Sequence, residues 1–203
     1  MAEKNKNDII NLRRAQLIKA TYQVVSKKGY YDFTIRDIAQ KAELSTGLVH
    51  YYFKNKQDLL LNLIKDMNRN LVDFLNRDLE KCGDNPVEML KVFLTQAFQI
   101  VSGNKDYIYI VIDFWTQINR NKRIHEANKR LFKSYRDQCS SILKKGVEKG
   151  VFVEMDTEYV TAVIISMIQG MIIQHIIDPE AFDYDDYTNR IIDKMNELVL
   201  KQN

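Results

Sequence analysis

Between Thr34 and Leu59 the chain reads TIRDIAQKAELSTGLVHYYFKNKQDL. Thr46, Gly47, Leu48, His50 and Tyr51 are small, hydroxylic, aliphatic or aromatic where a solvated helix would carry Lys, Glu or Gln. Such side chains suit close approach to base edges and to sugar-phosphate. Lys56 follows Asn55 at the start of a further helix, where a lysine opposes the macrodipole by roughly 0.3–1 kcal/mol. A phosphate at that position reverses the sign, because exposed N–H groups and the ammonium then hold one anion. The elements that must present these residues can be read locally. Thr34 with Asp37 forms a variant capping box, which predicts a helix from Ile35 to about Lys41, and Ser45 caps the next one. Asn55, with Asp58 three residues on, caps a third. Ile38, Ala39, Leu44, Val49 and Phe53 are the apolar positions that can meet inside such a helix-turn-helix, leaving Thr46 to Leu48, His50 and Tyr51 outward.

The run Thr34-Ile35-Arg36-Asp37-Ile38-Ala39, then Ala42, Leu44-Ser45-Thr46-Gly47, then Tyr52-Phe53-Lys54-Asn55-Lys56 and Leu59 resembles the N-terminal signature of the TetR family of bacterial transcriptional regulators. The resemblance covers about the first third of the chain. Glu43 stands where the family usually has a turn glycine, which calls for a left-handed conformation there. His50 stands where the family often has tyrosine.

Charge supports a nucleic-acid partner. The net charge is +3 overall, but residues 1–56 hold 11 Lys/Arg against 5 Asp/Glu, so the basic surplus lies in the segment carrying the motif. Two prolines and seven glycines leave little punctuation for an all-β chain. Cys82 and Cys139 form no C-x-x-C pair, and the three histidines are far apart in sequence, so free thiols in a reducing cytosol and no metal site are expected. The opening MAEKNKNDIINLRR has no apolar core of a secretion signal.

In chain order, residues 1–7 read as a polar arm with Lys4 and Lys6 available to DNA backbone. A helix follows from about Asp8 to Lys28, ended by Gly29, and Tyr30, Tyr31 and Phe33 pack it onto the motif. A long helix from Lys56 to about Lys81 connects head and body. The break Cys82-Gly83-Asp84-Asn85-Pro86 leads to helices over Pro86–Ser102, Lys105–Arg120, Lys122–Lys149, Thr157–Asp178 and Tyr184–Gln202. Tyr107 to Ile112 is β-branched and aromatic enough for a strand, but no partner strand is evident, so it is assigned as helix. Tyr159 to Ile177 holds no charge over 19 residues. Thr161, Ser166, Gln169, Gln174 and His175 interrupt it, and an acidic segment follows, which argues against a membrane span. A helix apolar all round must then be covered by its own core and by another subunit. With the last helix it can form a four-helix bundle across a two-fold axis, and the resemblance implies dimerisation through the same two helices.

No G-x-S-x-G, Walker-type loop, H-E-x-x-H or dinucleotide fingerprint is present, and Cys139 with a distant His125 is the only nucleophile–base candidate; a packed thiol is the simpler reading. No catalytic residue, metal ligand or cofactor is assigned. The body is rich in aromatic residues and methionine, with polar anchors such as Gln96, Gln117 or Gln169, and under the resemblance an effector cavity is expected there, with Trp115 and Tyr135 foremost. The absence of a basic cluster favours a hydrophobic or amphipathic ligand over a phosphosugar.

The expectation is an all-α protein: a three-helix DNA-binding head over residues 1–56 with a helix-turn-helix, joined to a larger helical ligand-binding and dimerisation domain over 57–203. It is read as a cytoplasmic homodimeric transcription regulator, a repressor that binds a near-palindromic operator in double-stranded DNA and is released from it by a small hydrophobic or amphipathic effector. Thr46, Gly47 and Leu48 are assigned to bases and Arg36 to a guanine edge. Thr34, Ser45, His50, Tyr51, Tyr52 and Lys56 are assigned to phosphates. Nonspecific DNA binding and a helical protein-interaction module are the alternatives.

Overall fold

A computed structural model describes residues 2–103 and 105–201, and the side chains of 7–100 and 106–201. The proposed arm, with Lys4 and Lys6, has its side chains outside the described residues. Among the described residues the order is α1 (Ala2–Asp32), α2 (Ile35–Lys41), α3 (Thr46–Tyr52), α4 (Lys56–Lys81), α5 (Pro86–Gly103), α6 (Lys105–Trp115), α7 (Lys122–Glu148), α8 (Thr157–Ile177) and α9 (Tyr184–Val199). The all-α expectation holds, including the helical assignment of Tyr107–Ile112.

Two boundaries differ most from the sequence reading. Helix α1 begins at Ala2 rather than Asp8; residues 2–7 contain neither Gly nor Pro to stop it. At its other end Gly29 takes φ 76°, a left-handed value that breaks the helix at the expected glycine. Helix α6 stops at Trp115, not Arg120. Gln117 N–H donates to the Phe114 carbonyl, Ile118 to Trp115 and Arg120 to Gln117, so the chain tightens into three-residue turns.

Packing divides the chain into two compact units, residues 1–70 with 105–129, and 71–104 with 130–203. This departs from a division at 56/57, because α6 returns to lie against α1. In the first unit Leu17, Val25, Ile38, Val49, Phe53 and Phe114 belong to one buried cluster that also includes Ile124 and Ala127 of α7. Tyr30 and Phe33 are buried in it, as the aromatic assignment anticipates, whereas Tyr31 is exposed. Asp113 Oδ2 accepts from Tyr30 N–H at 3.0 Å, one residue past the break at Gly29.

In the second unit α5 packs on α8 and α9. Tyr184 at the start of α9 is buried and its hydroxyl donates to the Phe98 carbonyl at 3.1 Å. The Lys145 and Lys149 ammonium groups hold the Asp84 carboxylate, with Lys145 at 2.5 Å, and pull its pKa to about 2. Phe152 lies against Gly146 so closely that a Cβ there would stand 1.9 Å from the ring. Residues on either side of Phe152 pair with the end of α9: Val153 N–H donates to Val199 O at 2.9 Å and Lys201 N–H to Val151 O at 3.0 Å. Burial pushes the Cys139 thiol up to about 12, which keeps it protonated and packed at neutral pH.

Helix α8 is long and apolar enough to cross a membrane by length and composition, yet only 17% of its most apolar stretch is buried. Thr161, Ile164 and Ile168 face the interior. Tyr159, Val163, Met167 and Met171 instead line an open groove that Ile191 of α9 completes.

Candidate nucleic-acid interface

The helix-turn-helix is built from local polar contacts around a small core. At the start of α2 the Thr34 hydroxyl accepts from Asp37 N–H at 3.2 Å, and Thr34 N–H donates to Asp37 Oδ2 at 2.8 Å. Lys28 adds an ion pair to Asp37 at 2.8 Å. The Lys28 contact and then the two Thr34 hydrogen bonds lower the Asp37 pKa to about 2. The turn passes through Glu43 at φ 55°, the left-handed conformation expected where a glycine is missing. Leu44 N–H donates to Ala39 O at 2.9 Å to close it. Ser45 then caps α3, its hydroxyl accepting from Leu48 N–H at 3.2 Å.

Val49 is fully buried beneath α3, so the opposite face turns out. Thr46, Gly47, His50 and Tyr51 are exposed and Leu48 is half-buried, while Ser45, Thr34 and Arg36 are exposed beside them. Tyr52 is half-buried with its ring edge-on to Tyr51 at 5.0 Å. The structure thus presents most of the sequence-assigned DNA-contacting residues on the surface of one motif. A Cβ at Gly47 would meet nothing nearer than the Ser45 hydroxyl at 3.9 Å, so internal packing does not require glycine there.

Lys56 is placed differently from a lysine with its head in solvent. Its ammonium donates to the Tyr31 and Phe33 carbonyls at 2.7 and 2.8 Å and lies 4.0 Å from the Phe33 ring centre. Burial lowers its pKa, against the opposing pull of Asp32 and Asp37. Two of its three N–H donors are therefore committed to the α1–α2 turn, and one remains for a phosphate. Asn55 caps α4 as expected, accepting from Asp58 N–H at 2.9 Å.

Sequence reasoning missed the residues that clamp the motif from outside it. Arg14 of α1 donates to the Tyr52 carbonyl at 2.9 Å and to Asn62 Oδ1 at 3.2 Å, and its guanidinium lies 4.7 Å from the Phe53 ring centre. Gln16 donates to the Ala42 carbonyl at 2.8 Å, satisfying the end of α2. Gln117, read as a possible ligand anchor, is buried and donates instead to the Tyr31 hydroxyl. The only sequence trace of these clamps was a polar residue among apolar neighbours.

Of the effector-site residues, Trp115 is half-buried against the core of the first unit. Gln96, Tyr135 and Gln169 are half-buried in the second, with the Gln96 amide bonded to Asp78. The first unit carries 18 Lys/Arg against 10 Asp/Glu and the second 12 against 17, sharpening the charge division seen in the sequence.

A basic unit with a capped two-helix motif and a small-residue outer face, followed by an acidic helical body, defines a helix-turn-helix regulator. Residues 17–63 match the family model for bacterial regulatory proteins of the tetR family, and residues 86–195 match that for the C-terminal region of BetI-type transcriptional repressors. The HTH-type transcriptional regulator BetI of Stenotrophomonas maltophilia is 31% identical over 142 residues, spanning 68% of this chain and 72% of that one. A putative transcriptional regulator from Saccharomonospora viridis, in complex with choline, superposes with a TM-score of 0.85 at 18% identity over 93% of this chain and 98% of that one. FadR from Bacillus subtilis, in complex with stearoyl-CoA, gives 0.75 at 19% over 91% and 98%. The chain belongs to the TetR family of transcriptional regulators, with a body of the BetI type.

Proposed function

We propose that the chain is a cytoplasmic, non-catalytic homodimeric repressor that binds a near-palindromic operator and leaves it when a hydrophobic or amphipathic effector binds. The observation that carries this reading is the outer face of α3, capped at Ser45, with Thr46, Gly47, His50 and Tyr51 exposed and Leu48 half-buried beside them. Thr46, Gly47 and Leu48 meet base edges, Leu48 against a thymine methyl, and Arg36 reaches a guanine from α2. Thr34, Ser45, His50, Tyr51, Tyr52 and the remaining donor of Lys56 bind phosphates.

The uncovered face of α8 supports the dimer. Tyr159, Val163, Met167 and Met171, flanked by Ile191, form a surface that water disfavours and a second copy can cover by two-fold symmetry. The two heads then read half-sites one or more helical turns apart, about 34 Å per turn.

Release follows from how the α1–α2 turn is held. Lys56 of α4 grips it through the Tyr31 and Phe33 carbonyls, while Asp113 and Gln117, at and after the end of α6, grip Tyr30 and Tyr31. An effector with higher affinity for a state in which α4 or α6 has shifted moves the base of α2 and misaligns α3. The two ligands held by structural neighbours, choline and stearoyl-CoA, support an effector with a cationic or acyl portion; Gln96, Tyr135 and Gln169 of the second unit are the residues proposed to contact it.

The test is a titration of the purified chain against the DNA upstream of its own gene and against a scrambled duplex at two salt concentrations, repeated with choline and with stearoyl-CoA. Preference for the upstream DNA, abolished by one compound, is the expected result. Equal, salt-sensitive binding to both duplexes favours nonspecific DNA binding instead.

A further inference from the structure

We propose that the turn after α6, residues 116–123, is a second DNA-backbone contact, in which Arg120, Lys122 and Arg123 bind phosphates flanking those reached from α2 and α3. The inference rests on the DNA-binding reading above. It starts from charge without a partner: all three side chains are exposed, and none forms an ion pair among the described residues. Lys122 and Arg123 open α7, whose first turn contains no acidic residue, an arrangement that the helix dipole opposes until an anion approaches. Residues 120–136 carry seven Lys/Arg against one Glu.

Position selects the partner. Gln117 is buried and bonded to the Tyr31 hydroxyl, and Asp113 four residues earlier holds Tyr30 N–H, so the turn is fastened to the segment that leads into the Thr34 cap. Lys56 holds the other side of that segment. On the far side of the turn Ile124 and Ala127 are buried in the same core as α2 and α3, which fixes the start of α7 to the head. A backbone phosphate run passing Thr34 is thereby flanked by an anchored cationic turn, and side chains as long as Arg and Lys extend the footprint along it. A free anionic effector is the other possible occupant of such a turn, and the test separates the two.

The experiment uses the full chain and a duplex recovered by selection from random-sequence DNA, in one version trimmed to the symmetric site and in another extended by ten base pairs on each side. Salt dependence is measured for the wild type and for the triple variant Arg120→Gln, Lys122→Gln, Arg123→Gln. One phosphate per turn in a dimer, at a slope of about 0.9 each, lowers the log–log salt slope by about 1.8 on the extended duplex, with Tm and sequence preference kept. On the trimmed duplex the two proteins should converge. Wild-type slopes in the variant on both duplexes overturn the inference while leaving the regulator reading intact. So does an unchanged slope in a variant that has lost only its response to stearoyl-CoA, which assigns the turn to the effector. Failure of the wild type to select any sequence overturns both readings.

Discussion

Helices α3 and α8 both leave a face uncovered, and the two faces are opposites. That of α3 is seven residues long and offers hydroxyls, an imidazole, a phenol and a bare glycine backbone over one buried valine. That of α8 belongs to a 21-residue helix without an internal charge after Glu158, and presents tyrosine, valine and methionine. A face that keeps its hydrogen-bonding capacity is stable in water and changes one polar partner for another on binding; an apolar face of that size is stable only when covered. The first therefore suits a partner that comes and goes, and the second suits a permanent one.

The contrast is best broken at α8. Val163→Glu places a charge in the groove, and we expect sedimentation to give a monomer whose operator affinity has fallen about 100-fold or more, because the two half-sites no longer act as one bivalent site. Unchanged mass and affinity would remove α8 from the interface. At α3, Gly47→Ala should separate stability from function. A methyl group there meets only the Ser45 hydroxyl, at 3.9 Å, so Tm should rise, by the equivalent of up to about 1 kcal/mol, while the Cβ intrudes on the DNA and operator affinity drops about tenfold or more. Thermal melts with binding curves on the same sample check this. Lys56→Met removes two bonds to turn carbonyls and should cost about 1–2 kcal/mol in a denaturant melt as well as weakening binding to all sequences. A purely phosphate-gripping lysine would leave the melt unchanged.

The smallest effects concern the supports. Glu43→Gly should stabilise by up to about 1 kcal/mol, since glycine takes φ 55° without the Cβ penalty. The Asp37 carboxyl titrates near 2 in the folded head against about 4 unfolded, so its contribution to stability is fully present above about pH 4 and is lost as pH falls through about 2. Asp37→Asn should flatten this part of the pH–stability curve, checked by melts between pH 2 and 5.

These supports also mark what the sequence could reveal. Caps at Thr34, Ser45 and Asn55 span three residues each, and the strain at Glu43 follows from a missing glycine, so all four were legible. The clamps were not: Arg14 meets Tyr52 38 residues away, Tyr30 meets Asp113 at 83 and Tyr31 meets Gln117 at 86. Each is a polar side chain that local periodicity assigns to solvent or a cavity, and only tertiary packing gives it a partner: the Tyr52 carbonyl for Arg14, the Tyr30 amide for Asp113 and the Tyr31 hydroxyl for Gln117. Lys56 is likewise held by the Tyr31 and Phe33 carbonyls, 25 and 23 residues away. Apolar periodicity marked α8 as needing cover, because burial follows composition even when the partner is unknown.

Phe152 seated on Gly146 and joined by its neighbours to Val199 and Lys201 closes a loop of nearly fifty residues around α8 and α9. Closing so long a loop costs somewhat more conformational entropy than closing a short turn, and it waits for both ends to be present. During synthesis the basic unit has all its residues once residue 129 has emerged, but the α8–α9 pair is fastened only when Lys201 leaves the ribosome. A nascent chain therefore passes through an interval in which it has a complete head and an unfinished apolar surface, and on the ribosome it is this surface that requires protection.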